Sequence, residues 1–299
     1  MRHGHDHDVR GASRRALTAA LAITATYTVV EVVGAIYADS LALLADAVHM
    51  LSDNVSIGIA LVAVWLASKP STPERTYGYK RTEVLAALAN GVVLVALSIW
   101  IFIEAAQRFR DPPEVLGGWM LAIALVGLAV NVAAGGILYR SRASGINVEA
   151  AFRHVVADLL GSLGVIAAAV AILATGWLRA DALVSILIGV LILASSWTIL
   201  RDSTSILLEA TPRGIDATAL GERLVRAPGV VEVHDLHIWT ITSGFPALSA
   251  HVLVGRGEDC HHRRLELERV LAEEFGIEHT TLQVDHAGEE GELVELGRF

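Results

Sequence analysis

Six long stretches of apolar residues are the strongest constraint on what this chain can fold into. A helix needs about 20 apolar residues to cross the hydrocarbon core of a bilayer, because each residue adds about 1.5 Å. Polar residues and prolines separate the stretches, as at Pro112-Pro113. We therefore predict an α-helical membrane protein with six transmembrane helices. The stretches are Ala16–Ala38, Leu41–Ala67, Val84–Ala106, Leu116–Tyr139, Ala151–Leu173 and Ala182–Leu200.

The charge distribution divides the chain after the sixth stretch. Residues 206–299 carry 8 Lys and Arg against 17 Asp and Glu, whereas residues 1–205 carry 15 of each. We predict a His-rich cytoplasmic tail at 1–15, a transmembrane domain at 16–205 and a cytoplasmic domain at 206–299. The acidic surplus excludes nucleic acid as a partner, since nucleic-acid binding needs a basic surface. One cysteine, Cys260, excludes a disulfide framework.

The last part of the chain has the pattern of a small α/β domain. Alternating β-branched residues predict three strands, and two polar stretches with apolar periodicity predict helices. The predicted strands are Val230–Ile241, Ala247–Val254 and Thr280–Asp285, and the predicted helices are Ile215–Arg226 and His262–Phe275.

The positions of Lys and Arg predict how the chain is oriented. These residues concentrate on the cytoplasmic side of membrane proteins. The N-terminal tail and the second and fourth connections are rich in them, while the other connections hold only Arg108, Arg110 and Arg179. We therefore predict an integral protein of the cell (inner) membrane with both termini in the cytoplasm.

Two His–Asp pairs lie inside the apolar stretches. His49 and Asp53 are four residues apart in the second stretch, and His154 and Asp158 are four apart in the fifth. This spacing puts both members of a pair on one helix face. Each pair could simply hold helices together, but ionisable groups within a membrane are rare and usually functional. Two pairs on two helices favour a metal site with two imidazoles and two carboxylates.

That ligand set predicts a transition metal, with zinc foremost. Zinc accepts His and Asp ligands in a tetrahedral arrangement. Magnesium and calcium prefer more oxygen ligands, and copper(I) prefers sulfur. The ligand types alone also permit cadmium, cobalt and nickel.

Further polar residues in the apolar stretches have two interpretations each. Asp46 could be a third carboxylate at the site or could orient His49, which we favour because four ligands suffice. Glu31 and Asn131 could line the pathway or form hydrogen bonds between helices. Asp181 is interpreted as the N-cap of the sixth helix.

Several motifs together resemble those of the cation diffusion facilitator family, in particular its zinc-transporting branch. They are LALLADAVHMLSDN, ERTYGYKRTEVLAALANG, the second His–Asp pair, LLEATP and VHDLHIWTI. The resemblance runs from about Ala16 to Asp285. It implies a homodimer of six-helix protomers with a ferredoxin-like, metallochaperone-like cytoplasmic domain. It also implies export of divalent metal in exchange for protons, with transport-site positions at His49, Asp53, His154 and Asp158. His at position 49 is similar to members that prefer zinc over cadmium.

The resemblance also implies a regulatory zinc site in the C-terminal domain. The matching positions are His234, His251, His261 and Asp285. Gln283 departs from the pattern, because those members have His at its position. The alternative is a solvated polar face without metal. The histidines of the N-terminal tail, such as His3 and His5, could capture metal weakly or have no role.

Metal and protons should compete for the same atoms. Zinc needs neutral imidazole and ionised carboxylate, so each metal ion bound displaces protons. We therefore predict a zinc/proton antiporter whose exchanged protons are carried by His49 and His154. Two other classes are a membrane-anchored metal sensor or scaffold and an intramembrane metalloenzyme. The enzyme is disfavoured because the chain has no HExxH motif.

Overall fold

Six long helices form the first two thirds of the protein. The structure, a computed structural model, describes residues 3–67, 69, 71–141 and 146–288. Within these residues, five helices are long and apolar enough to cross a membrane, and the described apolar run of the second covers Leu41–Ser52. The helices are α1 (His3–Ala38), α2 (Leu41–Ala67), α3 (Thr82–Arg110), α4 (Gly117–Ser141), α5 (Ile146–Thr175) and α6 (Arg179–Leu207).

Contacts group the chain into two compact units. One contains the chain up to Leu61 together with Ala89–Ile199, and the other contains Val62–Leu88 and the chain from Leu200 onward. The core of the first unit is rich in small residues, such as Ala45, Ala124 and Ala169, which let helices approach closely. Large apolar side chains such as Leu160 and Trp197 are exposed on its outside. That distribution suits contact with lipid.

Asp181 caps a different helix from the one we expected. Its carboxylate accepts hydrogen bonds from Ser40 Oγ at 2.6 Å, from the Leu41 backbone N at 2.8 Å and from the Ala42 backbone N at 3.2 Å. The Leu41 and Ala42 N–H groups are the first backbone donors of α2, although Asp181 belongs to the first turn of α6. The prediction of a cap for its own helix is therefore wrong, because Asp181 satisfies the start of a neighbouring helix instead.

The turn between α1 and α2 is also held by α3. Arg108 donates to the Asp39 carbonyl at 2.7 Å and to the Asp39 carboxylate at 2.9 Å. Asp39 has a left-handed backbone conformation, with φ of 50°. Arg179 of α6 donates to the carbonyl of Phe109 at 2.9 Å. Side chains of α3 and α6 therefore hold this end of the bundle together.

The C-terminal part is the small α/β domain that the pattern predicted. Strands β1 and β2 pair antiparallel, and β2 and β3 pair parallel across the connection through α8. This is the ferredoxin-like βαββαβ order without its first strand. The fold class, a helical membrane protein with a small α/β domain, is confirmed. The elements are α7 (Ala217–Val225), β1 (Val230–Thr242), β2 (Phe245–Val254), α8 (Cys260–Phe275) and β3 (His279–His286).

Both helices of this domain begin at an aspartate. Asp216 accepts hydrogen bonds from two backbone N–H groups at the start of α7, and Asp259 does the same for α8. The bonds to His262 and His261 lower the pKa of Asp259 below its usual range. Leu220, Leu248 and Leu267 lie in the core between the helices and the sheet.

The connection between α2 and α3 belongs to the same unit as the α/β domain and packs on it. The Tyr77 and His279 rings lie 5.9 Å apart, and the Lys80 ammonium lies 3.9 Å from the Phe245 ring centre. Thr242, the last residue of β1, donates to the Glu83 carboxylate at 2.6 Å. The Lys/Arg-rich connection therefore packs against the sheet of the α/β domain.

We expect Asp181→Ala to lower the free energy of unfolding by about 2 to 3 kcal/mol, because it leaves several buried donors of the α2 start without an acceptor. Asp216→Ala, which removes an exposed cap from α7, should cost about 1 kcal/mol. Denaturation of both variants in detergent measures the difference. Equal losses would contradict a buried anchor at Asp181.

Candidate metal centre

The helical bundle brings one imidazole and one carboxylate together between α2 and α5. His49 Nε2 lies 3.5 Å from Asp158 Oδ1. The His49 side chain is 20% exposed and that of Asp158 is 7% exposed. These two residues come from the two different His–Asp pairs. The structure therefore joins the two predicted halves of the site through one member of each.

The other two predicted ligands lie on the same helices. Asp53 follows His49 by four residues on α2, and His154 precedes Asp158 by four residues on α5. Their side chains lie outside the part of the structure that is described. Their role at the site stays a prediction.

A glycine of α5 makes room for the third carboxylate of this region. Asp46 is buried, and a Cβ atom placed on Gly161 would lie 2.9 Å from Asp46 Oδ1. That distance is shorter than carbon and oxygen atoms tolerate without movement. Asp46 precedes His49 by three residues on α2, and Gly161 follows Asp158 by three on α5. The two helices therefore approach closely beside the imidazole–carboxylate pair.

Polar groups from α1 and α4 surround the same region. The Tyr27 hydroxyl contacts Glu31 of α1, and Asn131 of α4 donates to Ser162 Oγ at 3.2 Å. Sequence reasoning singled out Glu31 and Asn131 but missed Tyr27 and Ser162. Ser162 follows Asp158 by four residues and so shares its helix face. This spacing could have predicted that Ser162 lies near the site. For Asn131, the interpretation as an interhelical hydrogen bond is confirmed.

In the α/β domain, two of the predicted metal-binding residues meet across the sheet. His234 of β1 pairs directly with His251 of β2, and their ring centres are 5.4 Å apart. His261 lies in the first turn of α8, and Asp285 of β3 accepts a hydrogen bond from Gln283 at 2.8 Å. Among the described side chains, no group of three or more His, Cys, Asp or Glu is arranged to hold a metal ion.

A bulge in β1 adds two residues that sequence reasoning did not place here. The register shifts between His234 and His237, and Asp235 has a φ of 51°. The extra residue returns His237 to the face of His234, which simple alternation would not do. Asp235 then lies 2.8 Å from His237 and 4.0 Å from His251. His237 and His251 therefore lie on either side of the Asp235 carboxylate.

Comparisons with known proteins show the family of the chain. Residues 17–208 match the cation efflux transmembrane domain, and residues 212–287 match the cation efflux protein cytoplasmic domain. The chain belongs to the cation efflux family. It is a transporter and not an enzyme.

Three bacterial relatives are similar over nearly the whole chain. The metal cation efflux system protein CzcD of Cupriavidus metallidurans is 40% identical over 288 residues, which are 96% of this chain and 91% of the relative. The zinc transporter ZitB of Escherichia coli is 40% identical, covering 96% of this chain and 93% of the relative. A cadmium, cobalt and zinc/H(+)-K(+) antiporter of Bacillus subtilis is 40% identical, covering 94% and 92%.

One solved structure matches the C-terminal part of the chain. It is the metal-bound C-terminal domain of the CzcD transporter, which is 37% identical. The match covers 23% of this chain and 97% of that chain, with a TM-score of 0.23.

We expect Gly161→Ala to weaken zinc binding about tenfold, because its methyl group displaces the buried Asp46 carboxylate beside His49. The matched control is Gly164→Ala on the same helix, whose Cβ would meet Val184 at an ordinary 3.6 Å. The measurement is the rise in melting temperature as zinc is added, and the zinc concentration that gives half of this rise reports the affinity of each variant. The same zinc dependence in both variants would show that Asp46 does not support the site.

Proposed function

We propose that the protein is a zinc exporter that works as a metal/proton antiporter. Its transport site is a tetrahedral His2Asp2 shell formed by His49 and Asp53 of α2 and His154 and Asp158 of α5. The proposal makes zinc the substrate, with cadmium, cobalt and nickel as competing ions. It rests on the geometry of one atom pair, the helix arrangement around it and the similarity to named transporters.

The distance between His49 Nε2 and Asp158 Oδ1 carries the proposal. Zinc binds imidazole nitrogen and carboxylate oxygen at about 2.1 Å, so two ligands at a tetrahedral angle lie about 3.4 Å apart. The observed 3.5 Å agrees with this span. It is longer than a direct charge-assisted hydrogen bond of about 2.8 Å. The pair is therefore spaced for one shared ion.

The helix directions support the other two ligands. His49 contacts Asp158, while Asp46, earlier on α2, faces Gly161, later on α5. The helices therefore run antiparallel at the site. Position 53, one turn after His49, and position 154, one turn before Asp158, come at the same level. Both pairs can then serve a single ion.

The names of the relatives support the choice of substrate. ZitB of Escherichia coli is named as a zinc transporter, and the Bacillus subtilis relative as a cadmium, cobalt and zinc/H(+)-K(+) antiporter. In this chain, zinc binding requires His49 and His154 to be neutral and both carboxylates to be ionised. Protons that return to these groups release the ion, which makes one set of atoms serve both directions of exchange.

The proposal includes topology and assembly. Both termini lie in the cytoplasm, and the protein is a homodimer in the cell (inner) membrane. The Lys/Arg-rich connection between α2 and α3 supports this orientation, because it contacts the α/β domain and must lie on the same side as that domain. The domain boundaries at 15/16 and 205/206 are supported by matches over 17–208 and 212–287.

Flux through proteoliposomes tests the transport site. With an imposed pH gradient, we expect the wild type to move zinc in preference to manganese and to move protons the opposite way. Asp53→Asn and Asp158→Asn should each lower zinc flux by more than about tenfold, because each removes a charged ligand. Glu104→Gln is the matched control, since Glu104 is also a membrane-helix acid but pairs with Arg108.

Two results would contradict the proposal. Zinc flux that survives both Asp substitutions would reject the site. A wild type that binds zinc in the membrane but transports none would favour the sensor or scaffold interpretation.

We also propose a regulatory zinc site around His234 and His251, with His261 and Asp285 as further ligands. The full chain carrying Asp53→Asn and Asp158→Asn should retain zinc binding in calorimetry, and His251→Ala should abolish it. His262→Ala is the control, because His262 is exposed on α8 beside Glu266. Equal binding with and without His251 would exclude the site.

A further inference from the structure

Glu31 of α1 is a buried acid that the proposed mechanism does not use. Its side chain is 1% exposed in a helix that is long and apolar enough to span the membrane. Among the described residues, it forms no ion pair with Lys, Arg or His. An ionised carboxylate in such a place loses several kcal/mol of hydration, so the protonation state of Glu31 needs a structural explanation.

The contacts of Tyr27 indicate where a proton lies. The Tyr27 hydroxyl oxygen is 3.1 Å from Glu31 Oε1 and 3.0 Å from the carbonyl oxygen of Ile123 on α4. Both of these oxygens accept hydrogen bonds, but the hydroxyl has one proton to donate. A proton on Glu31 satisfies all three groups, because Glu31 then donates to Tyr27 and Tyr27 donates to Ile123.

This contact is built into the helix packing. A Cβ atom placed on Gly127 of α4 would lie 2.3 Å from the Tyr27 hydroxyl oxygen. Only glycine at this position leaves space for the hydroxyl. The Tyr27 oxygen therefore lies against α4 at the same place where it contacts Glu31 of its own helix.

The charged groups around Glu31 favour the same state. Asp46 of α2 and Asp158 of α5 are the charged groups that act electrostatically on Glu31, and both are acids. A negative charge close to a carboxylate favours the uncharged, protonated form of that group. From α4, the neutral Ile123 carbonyl and Gly127 contact the Tyr27 hydroxyl. Every charged neighbour named here is therefore an acid.

We propose that Glu31 holds an exchangeable proton of the transport cycle, separate from the imidazoles of the metal site. A divalent cation bound at Asp158 of the transport site reduces the negative potential at Glu31. The O–H bond of Glu31 then breaks, the proton leaves to water, and the electron pair stays on the carboxylate. When the cation departs, a proton from solution binds the same oxygen again. This inference rests on the proposed metal/proton antiport.

The first test compares proton counterflow for the wild type and Glu31→Gln. Gln cannot release a proton, so we expect fewer protons exchanged for each zinc ion and a flatter pH dependence of zinc flux. Zinc flux and internal pH are recorded together in proteoliposomes under zinc and pH gradients. An unchanged proton-to-zinc ratio with an unchanged pH profile would overturn the role of Glu31.

The second test uses the sign of a pH shift and does not need Glu31 to be replaced. If protonated Glu31 donates to Tyr27, Tyr27→Phe destabilises the protonated form. The midpoint of the pH dependence should then move down by about half a unit to one unit. A move to higher pH, or none, would mean that Tyr27 does not hold the protonated acid and would overturn the proposal. Thr26→Val, which removes an exposed hydroxyl next to Tyr27, should leave the midpoint unchanged.

The wild-type measurement distinguishes a failure of the antiport proposal from a failure of the role proposed for Glu31. Zinc flux without proton counterflow in the wild type would reject the antiport itself, and the role of Glu31 with it. Coupled flux in the wild type that neither variant alters would reject Glu31 alone. If Glu31→Gln does not fold, as judged by size-exclusion chromatography in detergent, the direction of the Tyr27→Phe shift decides.

Discussion

The free energy needed to keep ionisable groups away from water governs the whole helical part of this protein. A charged side chain within a bilayer must find a partner of opposite charge, a hydrogen bond or a bound ion. The bundle meets this requirement in part by bringing several of its described acids into one interior region. Asp158 of α5 contacts His49 of α2 there, Asp46 of α2 lies beside Gly161 of α5, and Glu31 of α1 contacts Tyr27. Gly161 and Gly127 then let α5 and α4 come close enough to enclose these groups.

The geometry of this region depends on how α2 is anchored at its start. Asp181 of α6 binds the first backbone N–H groups of α2, and His49 follows Leu41 by eight residues, or about 12 Å along the axis. A helix is stiff over such a length, so the anchor determines the depth and rotation of the His49 side chain. A buried carboxylate at one end of the bundle thus supports the position of an imidazole in its interior.

The regular elements could be predicted from the sequence, because their signals are local. Apolar length marked the long helices, and alternation marked β1, β2 and β3 within a few residues of their observed ends. The spacing of His49 and Asp158 within their own pairs indicated a shared helix face. The contact between them also needed the packing of α2 on α5, which was inferred from the rarity of ionisable groups within a membrane and from the family resemblance, and not from a local signal.

The features that the sequence did not predict depend on interactions that leave no local signal in the sequence. In the sequence, Asp181 resembles an N-cap because it precedes the sixth apolar stretch, and nothing local shows that it binds Ser40 and Leu41, about 140 residues away. Asp235 has a left-handed backbone conformation that few non-glycine residues adopt. The bulge that brings His237 to the face of His234 could therefore not be predicted from the sequence. Small residues such as Gly161 carry no signal of the carboxylate they accommodate.

The same physical requirement that gathers these acids also gives a reason for antiport. Buried carboxylates are stable with a bound dication or with bound protons. Without either, their uncompensated charge is too costly in the interior. A site of this kind exchanges one type of cation for the other as it faces each side of the membrane. In the proposed cycle, His49 and Asp158 respond by direct coordination, while Glu31 responds through the electrostatic potential of Asp46 and Asp158. Coupling between metal and proton then follows from the density of buried acids, with no need for a separate proton channel.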